Sequence, residues 1–487
     1  MSNKKRPSND LSMRIGRRNF LSRSAFGIGG LALAQLLGPT VRAESAPQVN
    51  LGVLPAPHFA PRARRIIYLH MYGANSHVDT FDYCPQLEKM HGQQIPASVM
   101  GEGRVSTMVL GQTAFPLVRN LAPFKQRGQS GAWVSDYFPH IAEIADELCF
   151  INSMHTDHVN HNPAAQFLQS GFQLAGRPSF GSWVNYGLGT DNNNLPSFIV
   201  MMNMGPGLGQ NIDTAIFGSG FLPSHFQGVQ FVRGDTPVYY VDQPTGLTLS
   251  EQKSDIGAIN ALAMAQYEQS ADSEILSKIA QYEMAFRMQS SVPDAVDISK
   301  EPKNVLDMYG PSVNDPGSFA RQCLLARRLA ERDVKFVQLF YNGWDFHSGI
   351  TALQPVMAKT ADQAMAGLIM DLKQRGLLED TLVVFSSEFG RTPFSQGDIS
   401  SPGFGRDHHP YAFTSWMAGG GVKAGYTHGA TDDFGYNVIK DPVHVHDFNA
   451  TIMNLLGIDH ERLTYRFQGR DFRLTDVHGK VVKEVLA

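Results

Sequence analysis

Long apolar runs are missing from this chain of 487 residues. The longest candidate, Ala25–Leu37, is glycine-rich and falls short of the roughly twenty residues that a bilayer-spanning helix needs. Cysteine is scarce. Cys84, Cys149 and Cys323 are odd in number and far apart, which excludes a disulfide framework or a CxxC metal knuckle and leaves at most one bridge. The contexts "ELCFI" and "RQCLLA" read as sites of buried thiols. An excess of one charge is also absent: the formal net charge is −4 with both signs interspersed, so nothing suggests a nucleic-acid footprint and polyanions such as nucleic acids are not expected as partners. Neither internal repeats nor low-complexity tracts occur. Glycine and proline are plentiful, 46 and 27 residues, as expected for a loop-rich α/β body rather than a coiled coil or a helical array.

The N-terminus carries a processing signal. In "GRRNFLSRSAFGIGGLALAQLLGPTVRA" the pair Arg17–Arg18 precedes the short apolar stretch, and Val41-x-Ala43 resembles a signal-peptidase site. Residues 1–43 therefore read as a twin-arginine signal peptide, with the mature chain starting near Glu44. The implied partner during export is the twin-arginine translocase. The implied location is periplasmic or secreted, with no stable transmembrane anchor after cleavage. Such cargo crosses folded, often with a cofactor in place, which makes a bound metal an expectation.

A proline-rich lead covers 44–64, and 65–487 reads as one α/β domain. Strands are predicted at "RIIYLHMYG", "ELCFINSMH", "PSFIVMMN", "VKFVQLFYN", "TLVVFSS" and "YAFTSWMAG", apolar runs bounded by turn residues. Residues 205–245 are glycine-rich and aperiodic, and read as a loop or lid insertion. Helical spacing fills 250–300 with a break near "SADS", followed by "VPDAVDISKEP" as a polar connector. The segments around "FARQCLLARRLAERD", "TADQAMAGLIMDLKQRG" and "HDFNATIMNLLG" are amphipathic helices. Helices alternating with apolar strands predict a largely parallel central sheet with helices on both faces.

In such sheets chemistry collects beyond the carboxyl ends of the strands. Five strand ends supply histidine or carboxylate: "GANSHVDTFD", "TDHVNHN", "WDFH", "EFGRTP" and "GRDHHP". A lone histidine is more often a satisfied core or surface residue. Five strand ends together point to a divalent metal site, with His77, Asp79, Asp345, His347, Glu388, Asp407, His408 and His409 as the ligand pool. These eight are too many for one ion. Imidazole with carboxylate suits zinc, manganese or iron, whereas carboxylates with few histidines suit calcium or magnesium. Arg391 and Arg406 flank this pool. They would either bind an oxyanion through paired hydrogen bonds or hold the loops through salt bridges to Glu388 or Asp407.

The order of "GANSHVDTFD", "NHNPAAQFLQSG", "LLARRLAERDVKFVQLFYNGWDFH", "DLKQRGLLEDTLVVFSSEFGRTP" and "GRDHHPYAFTSWMAGGGVKAG" resembles the bacterial domain-of-unknown-function 1501 family, over roughly residues 60 to 485. That family consists of exported proteins placed in the alkaline phosphatase and sulfatase superfamily. The resemblance implies an alkaline-phosphatase-like α/β sandwich with a metal centre that hydrolyses sulfate or phosphate esters. "SSEFG" is similar to the superfamily's Ser-Asp-His-Gly motif, with Glu388 in the aspartate place and Phe389 in the histidine place. "WDFH" and "DHHP" are similar to its other metal motifs. "HNPAAQFLQSG" has the spacing of the sulfatase nucleophile segment, yet His161 stands in the cysteine place and Ala165 in the arginine place. No Ser, Thr or Cys nucleophile is present there. The expected activity is hydrolysis of an anionic small-molecule or polysaccharide ester by a metal-activated water, with His161 and Arg391 facing the substrate. The alternatives are His161 as nucleophile or as general acid and base, a phosphotransferase, and a catalytically inactive scaffold acting as a binding or cell-envelope protein.

Overall fold

The computed structural model describes residues 52–101, 106–234, 237–238 and 246–487. The twin-arginine signal over 1–43 and the first part of the proline-rich lead lie outside the described residues. The described residues form one compact unit.

Among the described residues nine strands make the central sheet: β1 (Arg65–Tyr72), β2 (Leu148–His155), β3 (Phe198–Met204), β4 (Val229–Phe231), β5 (Phe336–Asn342), β6 (Thr381–Ser386), β9 (Phe413–Ala418), β10 (Tyr426–His428) and β11 (Val443–His444). The missing numbers, β7 (Gly390–Gln396) and β8 (Gly405–His409), form a separate antiparallel hairpin. The sheet order is β10-β2-β9-β6-β1-β5-β3-β4, with β11 beside β2. All pairs are parallel except those of β9 with β2 and β6.

The apolar runs are continuous because both faces are covered. On β1, Ile67, Leu69 and Met71 enter one core, while Ile66, Tyr68 and Tyr72 enter the other. The first face carries α5 (Phe319–Ala330) and α6 (Ile350–Gln374). The second carries α1 (His161–Ser170), α2 (Phe180–Leu188) and α7 (Val445–Leu455). No helix of the described residues is long and apolar enough to cross a membrane.

Three segments differ from the sequence expectation. Within 205–245, read as a loop or lid, Val229–Phe231 is β4 of the central sheet, and Ile216, Leu222 and Phe226 are buried in the core. The helical segment is a pair, α3 (Leu249–Ser270) and α4 (Ser273–Val296), split near "SADS" where Asp272 caps the second helix. The second helix runs through Pro293 into the expected connector, because Val292 and Ala295 are buried in the core and their burial outweighs proline's missing donor. The acid- and histidine-rich loops "EFGRTP" and "GRDHHP" are largely strand. They pair with each other from Gly390↔His409 to Gln396↔Gly405, an arrangement that local apolar patterning cannot show.

Candidate metal centre

Beyond the ends of β1, β5 and β6 the backbones crowd together. Gly73 follows β1 with φ +106°, and a Cβ there would sit 2.6 Å from Asp345 N, so only glycine lets the two strand ends meet. The Gly73 N–H donates to Glu388 Oε1 at 2.8 Å. Asp345 and His347 follow β5, His161 is the first residue of α1, and His408 lies on β8. An irregularity in the β7–β8 register between Arg406 and His408 separates these two side chains.

His161, Asp345, His347 and His408 each offer one ligand atom, and the four atoms lie within 4.8 Å of one another. Asp345 Oδ1 is the hub: it is 3.2 Å from His161 Nε2, 3.0 Å from His347 Nε2 and 3.4 Å from His408 Nε2. The Nε2 atoms of His347 and His408 are 2.9 Å apart. Each imidazole has its other nitrogen on an acceptor: His161 Nδ1 on Glu388 Oε1 (2.6 Å), His347 Nδ1 on Gln396 Oε1 (2.5 Å) and His408 Nδ1 on the Val159 carbonyl (2.6 Å). An acceptor at Nδ1 puts the proton of a neutral imidazole there, so the Nε2 lone pairs face inward. His161 Nε2 is buried and makes no aligned hydrogen bond. Three lone pairs aimed at a carboxylate oxygen repel one another unless a cation or added protons stand among them. Ligand imidazoles in metal sites carry this same outer hydrogen bond.

The charges agree. Asp345, Glu388 and Asp407 are buried carboxylates, and among the described residues Arg391 is the guanidinium that touches this group, through Asp345 Oδ1 at 2.6 Å. Burial pushes the Asp345 carboxyl up, but the three imidazoles and Arg391 outweigh it and hold the group far below the usual range. Burial likewise raises Glu388, and the imidazoles of His161 and His70 more than offset it. Burial is the main cause that lowers His408, to about 3, with Arg391 and the neighbouring imidazoles adding to it against Asp345. In His161 burial lowers the pKa, but Asp345 and Glu388 together raise it above the ordinary value. A divalent cation matches the surplus of negative charge.

The remaining residues of the predicted pool lie around this cluster. Glu388 stands behind His161. Asp407 accepts from Ser106 Oγ (2.5 Å) and from the His408 N–H (2.8 Å), and its Oδ1 is 4.0 Å from His347 Nδ1. Asp79 takes a bidentate pair from Arg406, Nε at 2.7 Å and Nη2 at 2.9 Å. His77 bonds the Gly435 carbonyl at 2.8 Å, His409 bonds the Tyr436 carbonyl at 2.6 Å, and the two rings stack. Both arginines are fully buried. Arg391 also donates to the carbonyls of Ala74, Gly73 and Arg406, and Arg406 to those of Thr392, Val118 and Arg119.

Sequence reasoning did not single out His70, Gln210 or Gln396. His70, a polar residue inside an apolar strand, offered a signal. Gln210 donates Nε2–H to Asp345 Oδ2 at 2.6 Å, and Asn342 clamps its backbone from both sides. It also lines a cavity of about 720 Å³ beyond the ends of β3, β4 and β5, together with Asn203, Asn211, Gln230 and Arg233. Phe389 packs against the rings of His161 and His408, with centroids at 5.0 and 4.6 Å.

Solved structures similar to this chain include the following three. A sulfatase, PsFucS1, from Pseudoalteromonas sp. is 13% identical over 82% of this chain and 69% of that chain, with a TM-score of 0.35. A protein in the alkaline phosphatase superfamily from Vibrio parahaemolyticus is 11% identical over 86% and 72%, with a TM-score of 0.32. The C-terminal periplasmic domain of EcEptC from Escherichia coli, in complex with Zn, is 10% identical over 83% and 87%, with a TM-score of 0.34. Likeness at this level says nothing about chemistry. No curated protein matches the chain. The family model "Protein of unknown function (DUF1501)" matches residues 63–486, nearly all of the described chain, and the protein belongs to that family.

Proposed function

We propose that this chain is an exported, divalent-metal-dependent hydrolase of sulfate or phosphate esters. The observation that carries the reading is the convergence of three imidazole Nε2 atoms on Asp345 Oδ1, each imidazole held by an outer acceptor. His161, Asp345, His347 and His408 hold the ion. Glu388, Gln396 and the Val159 carbonyl orient the imidazoles. Three imidazoles and one carboxylate suit zinc, manganese or iron better than calcium or magnesium. A divalent ion supplies Lewis acidity and lowers the pKa of water toward neutrality, which takes the place of the missing hydroxyl or thiol nucleophile. Arg391 fixes Asp345, and Arg406 fixes Asp79, so the substrate's negative charge is met at the cation rather than by these guanidinium groups. His347, whose side chain is 17% exposed, is the most open member and marks the side of approach. The cavity behind Gln210 would take the organic part of the ester. The Arg17–Arg18 signal supports export to the periplasm or beyond.

A second reading rests on closure. Four protein donors satisfy a tetrahedral ion, and structural zinc sites are closed in this way, whereas catalytic ones keep a position open. In that case the chain is a metal-stabilised binding or cell-envelope scaffold without turnover. Elemental analysis of mature protein, combined with hydrolysis of p-nitrophenyl sulfate and p-nitrophenyl phosphate with and without chelator, separates the two. Bound metal with chelator-sensitive turnover supports the hydrolase, bound metal without turnover supports the scaffold, and protein free of metal overturns both.

A further inference from the structure

A buried imidazole stands one layer behind the centre with no part in the reading above. His70 is fully buried on β1, on the face where its alternate neighbours Ile66, Tyr68 and Tyr72 are apolar or aromatic. Its ring packs among Tyr68, Tyr72 and Phe340, with centroids at 6.4, 5.7 and 5.4 Å. Neither ring nitrogen makes an aligned hydrogen bond among the described residues, nor does Glu388 Oε2, and His70 Nε2 lies 3.1 Å from that oxygen, within reach of one. That carboxylate therefore has one oxygen shared by His161 Nδ1 and the Gly73 N–H and the other turned to His70. A polar ring buried in an apolar face needs a partner to offset its desolvation. Among the described residues, the polar group within hydrogen-bond distance of this ring is the Glu388 carboxylate.

We propose that His70 is a positioning residue of the metal centre. It presents Nε2–H to Glu388 Oε2 and so fixes the plane of the carboxylate. Glu388 Oε1 then stays aimed at His161 Nδ1, which holds His161 as the Nδ1–H tautomer with its Nε2 lone pair inward. The chain His70–Glu388–His161 thus sets a ligand's direction from two residues away. This rests on the metal-centre reading, but it is a statement about two tautomers that can be tested alone.

The experiment compares wild type with His70→Phe, which fills the space without a donor, and His70→Gln, whose Nε2 can replace that of the imidazole. Zinc affinity is measured by competition with a chromophoric chelator, and tautomers are read by long-range ¹H–¹⁵N spectra of protein labelled at histidine nitrogen. Loss of an outer partner weakens metal binding by about 10–100-fold, and that loss is expected for His70→Phe. The glutamine variant should keep wild-type affinity and the Nδ1–H form of His161. Equal affinity in wild type and His70→Phe, or equal loss in both variants, overturns the proposal. Should His70→Phe fail to fold, wild-type spectra decide alone: Nε2–H on His70 with Nδ1–H on His161 supports it, and any other pairing overturns it. Wild type that binds no zinc removes the metal-centre reading, while the two tautomers still decide this one.

Discussion

The Nε2 atoms of His347 and His408 lie 2.9 Å apart, although each imidazole already gives its Nδ1–H to an acceptor, Gln396 Oε1 in one case and the Val159 carbonyl in the other. Two such lone pairs cannot hydrogen-bond each other without an added proton. A cation shared between the two rings would account for this contact. His347→Ala and His408→Ala should each lose bound divalent metal, measured as metal per chain after gel filtration. Full retention in both would refute the assignment of these ligands.

Arg406 and Asp79 form a bidentate pair with both side chains fully buried. Removing one partner strands a buried charge, so Asp79→Ala and Arg406→Ala should each destabilise the protein by about 3–5 kcal/mol. The double variant should cost less than the sum, because the second deletion removes the stranded charge. Urea denaturation of all four proteins measures this, and additive losses would mean that the pair is not coupled.

His77 and His446 are both neutral in the folded protein at ordinary pH. Burial lowers His77 to about 4 against the opposing Gly435 carbonyl, and burial lowers His446 to about 3, aided by His444 and His478. The unfolded chain protonates them near 6.5, so the unfolded state binds more protons between that value and the folded pKa. Their stabilising effect is complete above pH 6.5 and is lost as pH falls toward 4, by about 1.4 kcal/mol per pH unit for each group. Unfolding free energies from pH 7.5 to 5 should fall accordingly. His446→Gln should flatten the slope by about one histidine's share.

Cys84, Cys149 and Cys323 are all buried free thiols, and burial pushes Cys149 up to about 12 and the other two well above their ordinary value. Reactivity follows the thiolate. Ellman's reagent should find no thiol in the native protein and all three in denaturant, and fast labelling of the native form would contradict the burial.

Much of the fold is legible because a doubly covered parallel sheet writes each strand as an apolar run, and β1, β2, β3, β5, β6 and β9 are such runs. The rule that strand ends gather chemistry points to the segments that carry His161, Asp345, His347 and His408. What cannot be read is direction. His408 and His409 are adjacent in "DHHP", yet one faces Asp345 and the other bonds the Tyr436 carbonyl, a difference made by the hairpin's register and by Val159 on another segment. Asp79 looks like a ligand until Arg406, 327 residues away in sequence, is seen to occupy both of its oxygens. Gln210 sits in a glycine-rich segment without periodicity, and only the clamp from Asn342 places its amide on Asp345.

The four converging donors come from α1, from the turn after β5 and from β8, between residues 161 and 408 of the chain. No short piece of the polypeptide contains this set, so an unfolded chain would not present it to an ion, and loading would follow folding. The ion would then act as a clasp on finished topology rather than as a nucleus. Occupancy becomes a receipt for correct assembly, issued in whichever compartment the chain folds, and a misassembled copy would be recognisable by being empty.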